Sequence, residues 1–170
     1  MQAETPSQVR ILGIDPGTHT TGIGIIDVVL KREPILCYYG TVKTTRSAGL
    51  PVRLQQINHG LIAVIDEYKP DYIALEDIFY SKNIKSAIVM GHARGVALLA
   101  IVNAGISPAE YSPREVKLAV VGRGNASKEQ VQFMVKNILR LKEDIQAEDA
   151  ADALAVALCH YHRLRTPGYD

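Results

Sequence analysis

The stretch Ile11-Leu12-Gly13-Ile14-Asp15-Pro16-Gly17-Thr18 decides how the rest of this chain is read. Ile11 to Asp15 is apolar except for its last residue, the pattern of a buried strand that carries an acid to the end of a sheet. Asp15-Pro16-Gly17-Thr18 has the composition of a tight turn. A second strand follows from Thr21 to about Val29, with Ile23 and Ile25 on one face and Gly22 and Gly24 on the other. Glycine inside a strand marks a place where something approaches the backbone closely. A turn over residues 31–34 leads to a third strand, Ile35 to Val42, so the chain begins as an antiparallel meander.

Beyond the meander the apolar period changes from two to 3.6. Leu54, Ile57, Leu61 and Ile65 predict an amphipathic helix over about 51–68, broken by Pro70 and Asp71. Tyr72 to Glu76 is a short apolar strand that again ends on an acid. Residues 83–103 read as a long helix closed by Gly105, and a brief strand near 109–111 precedes a helix opened by Pro113. Ser127 and Gln130 form a capping box for a helix reaching about Leu141. An alanine-rich helix, Glu148 to His162, comes last. Strands separated by helical crossovers pair in parallel. The expected fold is α/β, a mixed five-stranded sheet (three antiparallel strands, then parallel additions) flanked by helices, which is the ribonuclease H-like architecture.

The length of 170 residues fits one domain over 9–165, with a flexible N-terminal tail at 1–8 and a short C-terminal tail at 166–170. Cys37 and Cys159 are too few for a disulfide framework and read as buried free thiols, which suits a bacterial cytoplasm. Residues 1–8 lack the apolar core of a signal peptide. No run approaches the length of a transmembrane span, the densest being Val96 to Val102, so no membrane partner is expected. The net charge of +1 is uninformative, but its distribution is not. Residues 114–142 carry seven basic side chains against Glu115 and Glu129, and the stretch from Phe79 to Arg94 has Lys82, Lys85 and Arg94 without an acid. Such patches can follow a phosphate backbone, or can be an ordinary mixed surface.

If the strands ending at Asp15 and Glu76 are parallel neighbours, both acids emerge at one sheet edge; taken singly, each is as well explained as a strand-end acid in solvent. Asp149 and Asp152, three apart, project from one face of the last helix. A first-turn preference for acids explains Glu148 and Asp149, but not Asp152, deeper among Ala147, Ala150, Ala151, Ala153, Ala155 and Ala157. An acid on a close-packed small-residue surface is costly unless a cation sits there. Carboxylates without a His or Cys cluster suit Mg²⁺ or Mn²⁺, and a two-ion site could hydrolyse a phosphodiester. His160 and His162, near the end of that helix, read as cations favoured by its dipole.

At these residues the sequence resembles the RuvC-type Holliday junction resolvases. The resemblance lies in residues 11–17, in Ala93-Arg94-Gly95-Val96-Ala97 and in the segment from Ala147 to Ala157, and it runs from about Arg10 to His162. It implies that Asp15, Glu76, Asp149 and Asp152 are the metal-binding catalytic acids, with two Mg²⁺ per site and Mn²⁺ as a substitute. It implies further that Phe79 stacks on bases near the crossover and that Lys117 and Lys128 lie near the scissile phosphate. Lys82 and Arg94 join them as candidate DNA contacts. Lys128 also stands out by itself, because a cation in a helix's first turn opposes the dipole. Glu148 directly precedes Asp149, so a shift of one residue would exchange the ligand; the three-residue spacing to Asp152 favours Asp149. The resemblance implies a homodimer on four-way junction DNA, making paired symmetric nicks with 5′-phosphate and 3′-hydroxyl ends; the 83–103 helix, rich in Ala, Val and Ile, is the candidate dimer contact. It also implies cooperation with a branch-migration helicase of the RuvA–RuvB type in recombination and repair. Two other classes stand beside this one: a related nuclease acting on structured RNA, and a non-catalytic junction-binding module. Sugar-kinase-like phosphotransfer, suggested by the Asp15 turn, would need a second such domain.

Overall fold

β1 (Gln8–Asp15), β2 (Thr20–Val29) and β3 (Ile35–Lys43) form the antiparallel meander, and β4 (Tyr72–Glu76) and β5 (Pro108–Tyr111) complete a five-stranded sheet ordered β3-β2-β1-β4-β5. The protein is described from a computed structural model, which covers residues 8–29, 32–77 and 83–166. The expected tails at 1–7 and 167–170, Phe79 and Lys82 lie outside the described residues. Gln8, expected in the tail, is already in β1. β1 runs parallel to β4 with Ile14 beside Leu75, and β4 runs parallel to β5 with Glu76 beside Tyr111. The next step along the β1–β4 ladder sets Asp15 beside Glu76.

Strand parity sorts side chains onto two faces. Ile11, Ile26 and Ala74 belong to one core, with α3 (Pro113–Val121), α4 (Lys128–Ile138) and α5 (Glu148–Leu164). Leu12, Ile14, Ile23, Ile25, Ile73 and Leu75 belong to the other, with α1 (Leu50–Tyr68) and α2 (Ile84–Asn103). Asp15 is two residues from Gly13 and Glu76 two from Ala74, so both acids share the α5 face.

That face is built for close approach. A Cβ added at Gly13 would overlap the carbonyl oxygen of Ala153, one at Gly22 the carbonyl oxygen of Asp149, and one at Gly24 the backbone of Leu154. The visitor anticipated by the strand glycines is therefore α5, whose Ala150, Ala153 and Ala157 are buried against the sheet. At the far end of the sheet Arg10 fixes the frame: it pairs with Asp27 through Nε at 2.7 Å and donates to the Tyr68 carbonyl at 2.9 Å.

Helix ends show where local signals fail. α4 stops at Ile138, short of the expected Leu141, because Arg140 takes φ 53° and the N–H groups of Arg140 and Leu141 return to the carbonyls of Asn137 and Lys136. This is the usual left-handed helix stop, occupied by arginine instead of glycine. Gly105 closes α2 as expected, with φ 76°. α2 also corrects the expectation about apolar runs: its 20 residues include an 18-residue window with a mean hydropathy of 1.4, long and apolar enough to cross a bilayer by length and composition. Its outer stripe of Ile84, Ile88, Leu99 and Val102 is exposed.

Two further expectations change. His160 and His162 are not dipole-favoured surface cations. His160 is buried, its Nδ1 lies 2.7 Å from the Tyr111 hydroxyl, and burial holds its ring down to about 4, so it is neutral at pH 7. Burial also lowers His162, with the charge of Arg165 acting in the same direction. Both cysteines are free, but only Cys159 is buried; its thiol is pushed up to about 12 by burial, while Cys37 is half-buried.

Candidate active site

Three elements bring the four acids together. β1 and β4 deliver Asp15 and Glu76 to one edge on one face, and α5, seated on the strand glycines, brings Asp149 and Asp152 down over them. Asp15, Glu76 and Asp152 are all pushed up. Burial first, then the charges of Glu76, Asp152 and Asp149, pushes the Asp15 carboxyl up to about 8. Glu76 rises to about 7, mainly through burial and Asp152, opposed by its hydrogen bond with Asp15 and by Lys128 and Lys117. Burial and the neighbouring negative charges thus make both carboxyls hold their protons to higher pH than free acids do. Burial also raises Asp152, against a hydrogen bond from Lys128.

Lys117 and Lys128 enter the same place. With Glu76 and Asp152 they line a pocket of about 190 Å³ whose remaining wall includes Val116, Val131 and Ala155. Lys128 Nζ lies 3.1 Å from Asp152 Oδ2 and 3.1 Å from Glu148 Oε2. The cation in the first turn of α4 is therefore matched by acids of α5, not left to oppose the dipole alone. Glu148 and Asp149 differ in what they face. Both charges reach Asp152, but Asp149 also acts on Asp15, whereas Glu148, 72% exposed, pairs with Lys128. Glu148 as a partner for Lys128 was missed in the sequence, where adjacency to Asp149 was its only visible property.

Arg94 is placed differently from a phosphate-facing cation. Its guanidinium pairs with Glu110 of β5 and, at 3.2 Å, with Asp77, the residue after Glu76. It braces α2 against the ends of β4 and β5, so two carboxylates already neutralise the charge that the sequence offered to DNA. Within the 114–142 patch, Lys136 is likewise paired, with Asp144 at 2.6 Å.

Among the described residues no three His, Cys, Asp or Glu side chains converge as they would around a bound cation. The donors are nonetheless of one chemical kind. Four carboxylates, with neither sulfur nor imidazole, form a hard all-oxygen set that fits a magnesium-like ion better than zinc. The raised acids give a second reason for the fit, because a divalent charge would relieve the repulsion and desolvation that raise them.

The sheet order and an acid cluster at the shared edge of β1 and β4 define a protein of the ribonuclease H-like class. The family model described as crossover junction endodeoxyribonuclease RuvC matches residues 11–160. The crossover junction endodeoxyribonuclease RuvC of Syntrophotalea carbinolica is 53% identical over 154 residues, 91% of this chain and 94% of that protein. That of Syntrophomonas wolfei is 48% identical over 161 residues, covering 95% and 93%. Among solved structures, Thermus thermophilus RuvC in complex with Holliday junction substrate superposes with a TM-score of 0.86 at 34% identity, over 92% of this chain and 95% of that one. The yeast mitochondrial Holliday junction resolvase Ydc2, at 13% identity and a TM-score of 0.63, shares the fold over 95% of this chain and 82% of its own. This chain belongs to the RuvC family of crossover junction endodeoxyribonucleases.

Proposed function

We propose that this protein resolves four-way DNA junctions by hydrolysing one phosphodiester in each of two opposed strands. The observation that carries the reading is that Asp15, buried at the sheet edge, feels the charges of Glu76, Asp152 and Asp149 together, which with its burial raises the carboxyl to about 8. Isolated structural acids at strand ends would not interact in this way. Asp15, Glu76, Asp149 and Asp152 would hold two magnesium ions, or manganese in their place, and the metal when bound supplies activation of water and stabilisation of the leaving oxygen. Lys117 and Lys128, lining the pocket beside Glu76 and Asp152, attract and orient the scissile phosphate. Water oxygen adds to phosphorus and the bond to the 3′-oxygen breaks. The 3′-oxygen takes a proton, leaving a 5′-phosphate and a 3′-hydroxyl.

A junction with approximate two-fold symmetry needs two such sites related by a two-fold axis. The exposed stripe of α2 suits a homodimer contact: Ile84, Ile88, Leu99 and Val102 surround Gly91 and Gly95, where an added Cβ would meet nothing. Small residues spaced by four let two helices pack closely, and the same stripe explains why the helix is so apolar. The cytoplasmic location and the cooperation with a branch-migration helicase implied by the resemblance belong to the same proposal.

The test compares wild type with Asp152→Asn on a synthetic four-way junction and on linear duplex, with Mg²⁺ or with EDTA. Paired nicks on the junction, dependent on the metal and reduced at least about 1,000-fold in the variant while binding persists, are the expected result. Junction binding by wild type without cleavage in any divalent metal would leave a recognition module instead, and preferential cleavage of structured RNA would reassign the substrate.

A further inference from the structure

We infer that a second phosphate site, centred on Arg53 and His19, holds the DNA backbone beside the scissile position. The inference rests on the nuclease reading above. Its starting point is an asymmetry of charge: no Asp or Glu occurs between Glu33 and Asp66, a stretch that carries Lys43, Arg46 and Arg53, and none occurs between Asp15 and Asp27. The fold gathers these two acid-free segments at one corner. β1 ends at Asp15, β2 begins at Thr20, β3 ends at Lys43 and α1 begins at Leu50, so the corner lies at the same end of the sheet as the acid cluster.

The corner is tied together rather than loosely apposed. The Thr44 hydroxyl donates to the Thr18 carbonyl at 2.8 Å, and the Thr44 N–H donates to the His19 carbonyl at 3.1 Å. Gln56 of α1 accepts from the Thr45 N–H at 2.9 Å and returns a bond to the Thr45 hydroxyl at 3.0 Å. These bonds fix the turn after β1, the end of β3 and the first turns of α1 as one unit. On it, Arg53 Nη1 sits at the edge of the exposed His19 ring, 3.2 Å from Nδ1 and 3.0 Å from Nε2, and Arg53 Nε is buried without a partner.

Among the described residues none of Lys43, Arg46 and Arg53 takes part in an ion pair. A fixed guanidinium beside an imidazole, in segments that carry further cations and paired with no carboxylate among the described residues, attracts an anion more than it stabilises the fold. Arginine presents its donors in a fork that matches phosphate oxygens. The anion that this reading brings to that end of the sheet is the phosphodiester chain entering or leaving the acid cluster. A contact there fixes register and affinity without reading bases.

Arg53→Gln keeps much of the side chain's polarity and length but removes the charge. Junction binding would be measured in EDTA, across a series of salt concentrations, for wild type, Arg53→Gln and Arg53→Lys. Losing one phosphate contact should weaken binding about tenfold at moderate salt and make the slope of log K against log salt shallower by about 0.9. Arg53→Lys should keep the slope. Circular dichroism melting of each variant reports whether the corner still folds. An unchanged slope in a folded Arg53→Gln protein would overturn the site, since loss of one phosphate contact must lower the number of ions released. Wild type without salt-dependent junction binding would instead sink the nuclease reading on which the site rests.

Discussion

The two faces of the sheet are packed by opposite means. On the α1–α2 face the core consists of large aliphatic side chains, among them Leu12, Ile14, Ile57, Leu61 and Ile73, all fully buried. On the α5 face, glycines of β1 and β2 meet alanines of α5, and backbones nearly touch. The first arrangement buries more apolar area per residue and tolerates small shifts, because side chains can repack. The second gives up side-chain volume for position. It fixes α5 to within the thickness of a methyl group, and the acids ride on that helix. Stability and catalysis should therefore fail together on one face and separately on the other.

The largest expected effects test that contrast directly. Gly22→Ala sets a methyl group into the Asp149 carbonyl, so α5 must move; we expect a loss of about 3 kcal/mol and a cleavage rate per folded molecule lower by about 100-fold. Leu61→Ala should cost a similar 2–5 kcal/mol by opening a cavity, yet leave the cleavage rate of the folded fraction within about threefold of wild type, since α5 is untouched. Chemical denaturation paired with single-turnover kinetics measures both. Equal catalytic losses in the two variants would mean that the faces are not mechanically distinct.

Next in size is the outer surface of the aliphatic face. Leu99 is 57% exposed on α2, a position with no role in holding the acids. Leu99→Glu should weaken dimerisation by about 100-fold, roughly 2.7 kcal/mol, read by equilibrium sedimentation. A wild-type protein that remains monomeric at micromolar concentration would remove α2 as the contact.

The same contrast explains what the sequence made legible. The meander, both strand-end acids and the aliphatic helices were readable because alternation, helical spacing and turn residues are local signals. Gly22 and Gly24 announced a close approach, although only the folded chain shows that the visitor is α5. The end of α4 was hidden because Arg140 adopts a conformation that glycine usually marks. The Arg94 pairs and the burial of His160 were hidden for another reason: their partners Glu110 and Tyr111 lie on β5, far along the chain from either helix residue, and no spacing rule connects them. The acid constellation was legible in its members but not in its electrostatics, which depend on how deeply α5 seats.

A smaller effect follows from that seating. Asp15 and Glu76 titrate higher in the folded protein than in the unfolded chain, to about 8 and about 7. Below about pH 4 both states bind the protons and no penalty exists. As pH rises toward 8 the unfolded chain has released protons that the folded protein retains, so stability in EDTA should fall with pH. Asp15→Asn should therefore match wild type near pH 4 and exceed it by several kcal/mol at pH 8. A difference that stays constant across this range would show that the carboxylates do not interact as the structure indicates.

The smallest expected effect resolves the register at the start of α5. Glu148 and Lys128 form an exposed pair, whereas Asp152, 24% exposed, is the more buried partner of the same lysine. Water and salt screen the outer contact, so Glu148→Gln should change stability by no more than about 0.5 kcal/mol and junction cleavage by about twofold. Both differences should vanish at high salt. Asp149→Asn should behave unlike it, with cleavage lost by orders of magnitude, because Asp149 faces Asp15 and rests on Gly22. Were Glu148 the ligand instead, the two variants would exchange behaviours. α5 would then have to be rotated by one residue, about 100°, on the strands. The buried alanines that now meet Gly13 and Gly22 resist that rotation, because strand backbone that leaves no room for a single methyl group could not take larger side chains in their place.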